Sequence, residues 1–228
     1  MIKKAVFWDF DGTLIHANES SFCALKEALQ QNRYSVDEGE IRAALCTSLS
    51  WYNWETTYES GTGEKWWNRL FSNLGSFYAR HGISDSDKVN AAFRENVLTF
   101  RYYTLFEDAR NVLETCKRLG YRNYIVSNNY PELPNAIEKL GIDKFFSGYV
   151  ISSQIGFEKP RPEIFQYAME LAGNPETCYM VGDNLFADIQ GASALGIQTI
   201  FVHPPAKGQL KCANYTCDSL SDILDIIV

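Results

Sequence analysis

Four short polar motifs follow, directly or at a short distance, apolar runs typical of buried strands, and their order constrains the fold most. The motifs are Asp9-Phe10-Asp11-Gly12-Thr13, Ser127-Asn128-Asn129, Lys159-Pro160 and Gly182-Asp183-Asn184 with Asp188. In an open parallel sheet, groups at the carboxyl ends of neighbouring strands gather in one crevice. We therefore expect four carboxylates, one ammonium and one hydroxyl to meet there. Such a set suits a hard cation and a phosphate.

Strands and helices alternate over residues 106–228, which predicts βαβ units and a parallel sheet. The predicted strands are Arg122–Ser127, Gly148–Ser152, Cys178–Val181 and Thr199–Val202. The predicted helices are Pro131–Leu140, Pro162–Leu171 and Phe186–Leu195, with Pro131 and Pro162 in first turns, where proline is tolerated. Helical patterns end just before four glycines, as left-handed C-caps require: Gly120, Gly141, Gly173 and Gly196.

The segment Ala5–Phe10 has the texture of a further strand of this sheet, but a long helical stretch follows it. The predicted helices there are Ser20–Gln31, Asp37–Leu49, Glu64–Arg80 and Asp85–Phe100, the last with N-cap chemistry from Ser84–Asp87. The fold class is therefore α/β: a Rossmann-like parallel-sheet core with an all-helical cap inserted after strand one. We predict residues 1–16 and 102–228 as the catalytic core and residues 17–101 as the cap.

Composition narrows the function classes. The net charge of −7 argues against a nucleic-acid binder, which would need a basic face to neutralise phosphates. No apolar run approaches the roughly 18 residues of a membrane span, and the N-terminus lacks the pattern of a signal peptide. The six cysteines are scattered, without the paired spacing of a zinc site. We expect reduced thiols, a cytoplasmic protein and no membrane partner; the oligomeric state is not predicted.

Asp9 and Asp11 stand too close together to be ionised side by side without compensation. Two like charges about 4 Å apart repel by roughly 4 kcal/mol at an effective dielectric near 20. A metal, a lysine or a raised pKa would relieve this repulsion. Asp183 and Asp188 offer further oxygen ligands for Mg²⁺, and Lys159 offers a positive charge. A partly protonated Asp11 would suit general acid–base catalysis.

The four motifs together resemble those of the haloacid dehalogenase superfamily, and the insert after strand one resembles its helical-cap branch. The resemblance covers the whole chain. It implies that Asp9 is the nucleophile, forming an aspartyl-phosphate, and that Asp11 is the acid/base, with its backbone carbonyl on Mg²⁺. It also implies that Ser127 and Lys159 hold the phosphoryl group, that Asp183 is a metal ligand, and that Asp188 acts through water or orients Lys159. Asn128 is a further candidate site residue.

The implied function is a Mg²⁺-dependent phosphatase for a small phosphorylated metabolite. Two alternatives remain open at this point: a phosphotransferase such as a sugar-phosphate mutase, and a non-catalytic phospholigand-binding relative. Three local readings are also open. Ser127 caps a helix or holds phosphate, and His16 is a hinge residue or touches substrate. The insert's aromatic residues form its core or line a pocket: Trp51, Tyr52, Trp54, Tyr58, Trp66, Trp67, Phe71, Phe77 and Tyr78.

Overall fold

The sheet of the protein is parallel throughout and has the strand order of a Rossmann-like fold. The structure, a computed structural model, describes residues 3–55, 63–204 and 212–227. Six strands in these ranges run in the order β3-β2-β1-β4-β5-β6. They are β1 (Lys4–Trp8), β2 (Tyr121–Ser127), β3 (Phe146–Ile151), β4 (Thr177–Gly182), β5 (Gln198–Val202) and β6 (Tyr215–Cys217). The predicted α/β class is confirmed, and the order reverses at β1, where such sheets bind ligands.

Both faces of the sheet are covered, as the continuous apolar strands require. Along β1, Val6 and Trp8 join one apolar cluster, whereas Ala5 and Phe7 join another on the opposite face. The core helices are α5 (Ala109–Arg118), α6 (Leu133–Lys139), α7 (Ser152–Ile155), α8 (Pro162–Leu171) and α9 (Gly191–Ser193). The four glycines predicted to end helices all have positive φ angles.

Four helices follow β1: α1 (Ser20–Gln31), α2 (Glu38–Ser48), α3 (Gly63–Arg80) and α4 (Ser86–Val97). A 3₁₀ turn at Ser50–Tyr52 follows α2. We call the described part of residues 17–101 the helical insert. It has its own apolar cluster, which includes Trp67 and Phe93 and takes in Tyr130 from the loop after β2. Within the described ranges, no helix combines the length and apolarity that crossing a membrane requires.

Three local predictions were wrong. Helix α6 begins at Leu133, so Pro134 rather than Pro131 lies in its first turn. Asp85 is the N-cap residue of α4, but its carboxylate pairs with Lys88 and makes no capping bond. The predicted helix Phe186–Leu195 is instead a π-helical turn at Leu185–Gln190 followed by α9.

The π-helical turn has a local cause in side-chain hydrogen bonds. The Asn184 side chain accepts from the backbone N–H groups of Phe186 and Ala187, at 3.0 and 2.9 Å. Asp188 Oδ2 accepts from the backbone N–H of Asn184 at 3.0 Å. Side-chain bonds of this kind compete with the regular helical pattern, and π turns often occur at functional sites.

Candidate active site

The loop after β1 carries Asp9 and packs against Asp183, which follows β4. Asp9 continues the strand, and its backbone N–H donates to the Val181 carbonyl of β4 at 2.9 Å. Gly12 has a φ of +83°, and a Cβ on it would overlap the carboxylate of Asp183. Thr13 Oγ1 donates to Asp183 Oδ1 at 3.0 Å. The motif of strand one therefore folds directly against the motif of strand four.

Lys159 is buried between two carboxylates. Its Nζ lies 2.7 Å from Asp9 Oδ1 and 2.6 Å from Asp188 Oδ1. The backbone of Lys159 is held by Asn128, whose Oδ1 accepts from the Lys159 N–H at 2.7 Å and whose Nδ2 donates to its carbonyl at 3.0 Å. Asn128 thus fixes the loop that carries the ammonium, a contact that strand-end spacing alone did not indicate.

Asp188 is fully buried, and both of its oxygens are engaged. Oδ1 accepts from Lys159, and Oδ2 accepts from the Asn184 N–H. A Cβ on Gly182 would overlap this carboxylate, so only glycine leaves room for it. Burial raises the pKa of Asp188, and the neighbouring ammonium opposes that shift. These contacts support the reading that Asp188 orients Lys159.

The Asp11 carboxylate is held by hydrogen bonds from two side-chain amides. Asn129 Nδ2 donates to its Oδ2 at 2.5 Å, and Asn18 Nδ2 donates to its Oδ1 at 3.1 Å. Burial, followed by the charge of Asp9, raises the pKa of Asp11 to about 7, although the two amide bonds act in the opposite direction. A carboxyl with a pKa near neutrality suits proton transfer to and from a reacting group.

A divalent cation fits the remaining carboxylates. One oxygen each of Asp9, Asp183 and Asp188 lie within 4.8 Å of one another. Burial, followed by the charge of Asp9, raises the pKa of Asp183 to about 6, which indicates negative charge that lacks compensation. Oxygen donors of this kind match Mg²⁺. Since Asp188 already bonds Lys159 and a backbone amide, Asp9 and Asp183 are the better side-chain ligands. Asp11 would have to contribute through its backbone.

Most of these groups lie at the floor of a cavity of about 580 Å³ between the sheet and the helical insert, whereas Asp183 is not among its lining residues. Asp9, Asp11, Ser127, Asn128 and Lys159 all line it. The helix-cap alternative for Ser127 was wrong, because α6 begins only at Leu133, with Glu132 as its N-cap residue.

The insert's aromatic residues divide between its core and the cavity. Trp66 and Trp67 are buried in the insert's core, as are Phe77 and Tyr78, and Phe71 packs against that core. Of the nine aromatic residues singled out from the sequence, three line the cavity: Trp51, Tyr52 and Trp54. Tyr58 lies outside the described residues. His16 is exposed and contacts Phe106, with the two rings tilted by 41° and their centroids 3.9 Å apart, and it is not among the cavity-lining residues.

Sequence reasoning missed several residues of the site. Asn18 and Asn129 grip Asp11, and Tyr103 lines the cavity beside it. Arg42 and Glu19 line the cavity from the insert. Asn129 stood within a motif already singled out, so its position was a usable signal. Asn18, Glu19 and Arg42 carry no pattern, since only the packing of the insert onto the core brings them to the cavity.

With this geometry in view, comparisons with known proteins define the family. The model of haloacid dehalogenase-like hydrolases matches residues 3–196, and the chain belongs to this family. The chain is 25% identical to glyceraldehyde 3-phosphate phosphatase of Pyrococcus furiosus, over 98% of this chain and 92% of that protein. It is 28% identical to pyrophosphatase PpaX of Bacillus cereus, over 97% of this chain and 95% of that protein.

A solved structure shows the same fold. The magnesium-bound crystal structure of the HAD-hydrolase YfnB from Bacillus subtilis superposes with a TM-score of 0.74. The match covers 100% of this chain and 99% of that one, at 20% sequence identity.

Proposed function

We propose that this protein is a Mg²⁺-dependent phosphatase that hydrolyses a small phosphate monoester through an aspartyl-phosphate. The observation that carries the proposal is the position of Lys159, which bridges Asp9 and Asp188 at one end of the cavity floor. Carboxylate oxygens of Asp9, Asp183 and Asp188 also lie within 4.8 Å of one another. A phosphoryl group beside Asp9 would meet positive charge from Lys159, and phosphoryl transfer needs mainly alignment and charge neutralisation. The similarity to phosphatases over nearly the whole chain supports the same activity.

In the first step, an oxygen of Asp9 attacks phosphorus, and the bond from phosphorus to the ester oxygen breaks. Lys159 and the Ser127 hydroxyl hold the phosphoryl oxygens, and Asp11 donates a proton to the departing alcohol. In the second step, Asp11 takes a proton from water, the water oxygen bonds to phosphorus, and Asp9 is released with free phosphate. Mg²⁺ held by Asp9, Asp183 and the Asp11 carbonyl would neutralise charge on the transferring group.

The helical insert and the cysteines fit the same proposal. We propose that residues 17–101 act as a cap over the catalytic core of residues 1–16 and 102–228 and exclude bulk water, leaving the one water molecule that Asp11 activates. All six cysteines are free, which fits a reducing compartment such as the cytoplasm.

The test is phosphate release from a panel of metabolite monoesters, with Mg²⁺ and then with a chelator. We expect Mg²⁺-dependent release of free phosphate from at least one ester. Asp9→Asn should release no phosphate. Its matched control is Asp143→Asn, which replaces an exposed aspartate away from the cavity and should leave turnover unchanged. An isomerised product without free phosphate would favour a phosphotransferase. Binding without turnover would favour a phospholigand-binding protein.

A further inference from the structure

The cavity has two halves of opposite character. Its floor carries the charged and polar groups at the strand ends, with Lys159 and Asp9 among them. Its roof comes from α1, α2 and the turn after α2, and the roof is largely apolar. The apolar side chains that line it are Phe22, Leu45, Leu49, Trp51, Tyr52 and Trp54. A substrate that places its phosphate on the floor must place its organic group against this roof.

The roof carries a cation whose charge is already matched. Among the described lining residues outside the floor, Arg42 is the one basic side chain. Its two terminal nitrogens lie 2.8 and 2.9 Å from the two carboxylate oxygens of Glu19, which also lines the cavity. The guanidinium lies 3.7 Å from the ring centroid of Phe22. This bidentate arrangement occupies the fork with which arginine would bind a carboxylate or phosphate.

An anionic organic group would therefore meet two obstacles. The Arg42 and Glu19 side chains are 45% and 58% exposed, so water screens both charges. To pair with Arg42 the group would still have to compete with Glu19, and it would then lie beside the Glu19 carboxylate in the same cavity. Repulsion between the anionic group and the Glu19 carboxylate would weaken the binding of such an ester. An uncharged group meets neither obstacle.

Aromatic rings from both sides of the cavity meet and form one aromatic wall. Trp54 of the insert and Phe186, which follows β4, contact edge to face with ring centroids 5.3 Å apart. Tyr52 and Phe186 leave 57% and 45% of their surface exposed, which is high for large apolar side chains. Flat rings pack well against aromatic walls of this kind. The cavity volume of about 580 Å³ also lies within the range of sites for ligands much larger than a three-carbon ester.

We propose that the substrate is the phosphate monoester of an alcohol that carries an uncharged aromatic ring. This inference rests on the phosphatase function proposed above and adds the class of the leaving group. The ring lies against Trp54, Tyr52 and Phe186, while the Arg42–Glu19 pair excludes esters with a second anionic group.

The test compares kcat/KM for three esters of unactivated alcohols: 2-phenylethyl phosphate, glycerol 3-phosphate and 3-phosphoglycerate. We expect 2-phenylethyl phosphate to exceed glycerol 3-phosphate by about tenfold or more, since even one methylene in an apolar pocket is worth about that factor. The anionic 3-phosphoglycerate should be the poorest. If 3-phosphoglycerate equals or exceeds the aromatic ester, the inference is overturned and the phosphatase function stands. If no ester releases phosphate, p-nitrophenyl phosphate included, both are overturned.

Two variants sharpen the test. Glu19→Gln removes the charge that pairs with Arg42 and should raise kcat/KM for 3-phosphoglycerate by up to about fivefold, since exposed ion pairs are weak. Its control is Glu38→Gln, which breaks the pair with Lys26 on the same insert but outside the cavity lining. Trp54→Ala should remove most of the preference for the aromatic ester. Its control is Tyr167→Ala, an exposed tyrosine of α8. For each variant, the ratio of kcat/KM for 2-phenylethyl phosphate to kcat/KM for 3-phosphoglycerate is compared with the ratio in its control. If the two ratios are equal in both comparisons, the inference is overturned.

Discussion

Replacing Lys159 by Met separates what this residue contributes to the fold from what it contributes to chemistry. The Lys159 side chain is 2% exposed, and its two partners, Asp188 and Asp9, are 0% and 11% exposed. Methionine fills similar space but carries no charge, so the variant leaves two carboxylates crowded without their ammonium. We expect loss of turnover and a less stable fold.

The expected magnitude follows from burial. Removing one partner of a buried ion pair costs about 3–5 kcal/mol, because the remaining charge is uncompensated. For a chain of this size each kcal/mol lowers Tm by roughly 2–4 °C, so the melting temperature should fall by roughly 6–20 °C.

The penalty should depend on pH. Burial raises the pKa of Asp188 above its unfolded value, so at pH values between the two the folded protein binds more protons than the unfolded chain. Stability therefore falls as pH rises from the unfolded pKa to the folded pKa. Removing the ammonium raises this pKa further. The loss of stability in Lys159→Met should therefore be larger at pH 8 than at pH 5.

Thermal and urea unfolding in the presence of a chelator would measure the effect. The double variant Lys159→Met/Asp188→Asn should recover much of the lost stability at pH 8 and remain inactive. Lys26→Met is the control, since Lys26 pairs with Glu38 at an exposed site, where such pairs contribute little to stability. A Lys159→Met protein as stable as wild type at pH 8, or a double variant no more stable than the single, would refute the reasoning.

Three further predictions concern the site. Asp11→Asn should slow the first step, release of the alcohol, on the order of 10²–10⁴-fold for an alkyl ester, the usual worth of general acid–base catalysis. The initial burst of phenol from a phenolic ester should be affected much less, and equal losses in the two first steps would argue against the acid role. Chelation should stop turnover and Mg²⁺ restore it, with Ca²⁺ a poor substitute because it prefers looser geometry; full activity after exhaustive chelation would contradict this. Gly12→Ala should raise the Mg²⁺ concentration needed for half-maximal activity, because its Cβ meets the Asp183 carboxylate. Gly82→Ala is the control, with a φ of +63° but open space around it, and a similar shift in both variants would refute the steric argument.

Strands β1 to β5 were predictable because they are continuous apolar runs, most of them followed by a polar motif, whereas the three-residue strand β6 was not predicted. The helix-ending glycines were predictable because the residue after a helix often has a positive φ, which glycine adopts without strain. The π-helical turn was not predictable from periodicity. Its geometry comes from bonds that Asn184 and Asp188 make to backbone amides, and residue spacing does not reveal such bonds.

The floor of the site was easier to predict than its roof. Asp9, Lys159 and Asp188 lie together because parallel strands bring their carboxyl ends to one edge of the sheet. The cavity-facing positions of Arg42 and Trp54 depend on how the insert packs onto the core, which is a long-range property. Amphipathic patterns show that an insert helix has a buried face, but they do not show which polar residues face the cavity.

The central claim is that Asp9 carries the phosphoryl group during turnover. The most direct measurement is acid quenching during turnover of a phenolic phosphate, whose leaving group needs no proton from Asp11, followed by mass spectrometry of the peptide that contains Asp9. The Asp11→Asn enzyme is the best sample, because loss of the general base slows hydrolysis of the intermediate. We predict phosphate on Asp9 in that enzyme and no turnover in Asp9→Asn. Turnover by Asp9→Asn at the wild-type rate, with no phosphate on the peptide, would contradict the account.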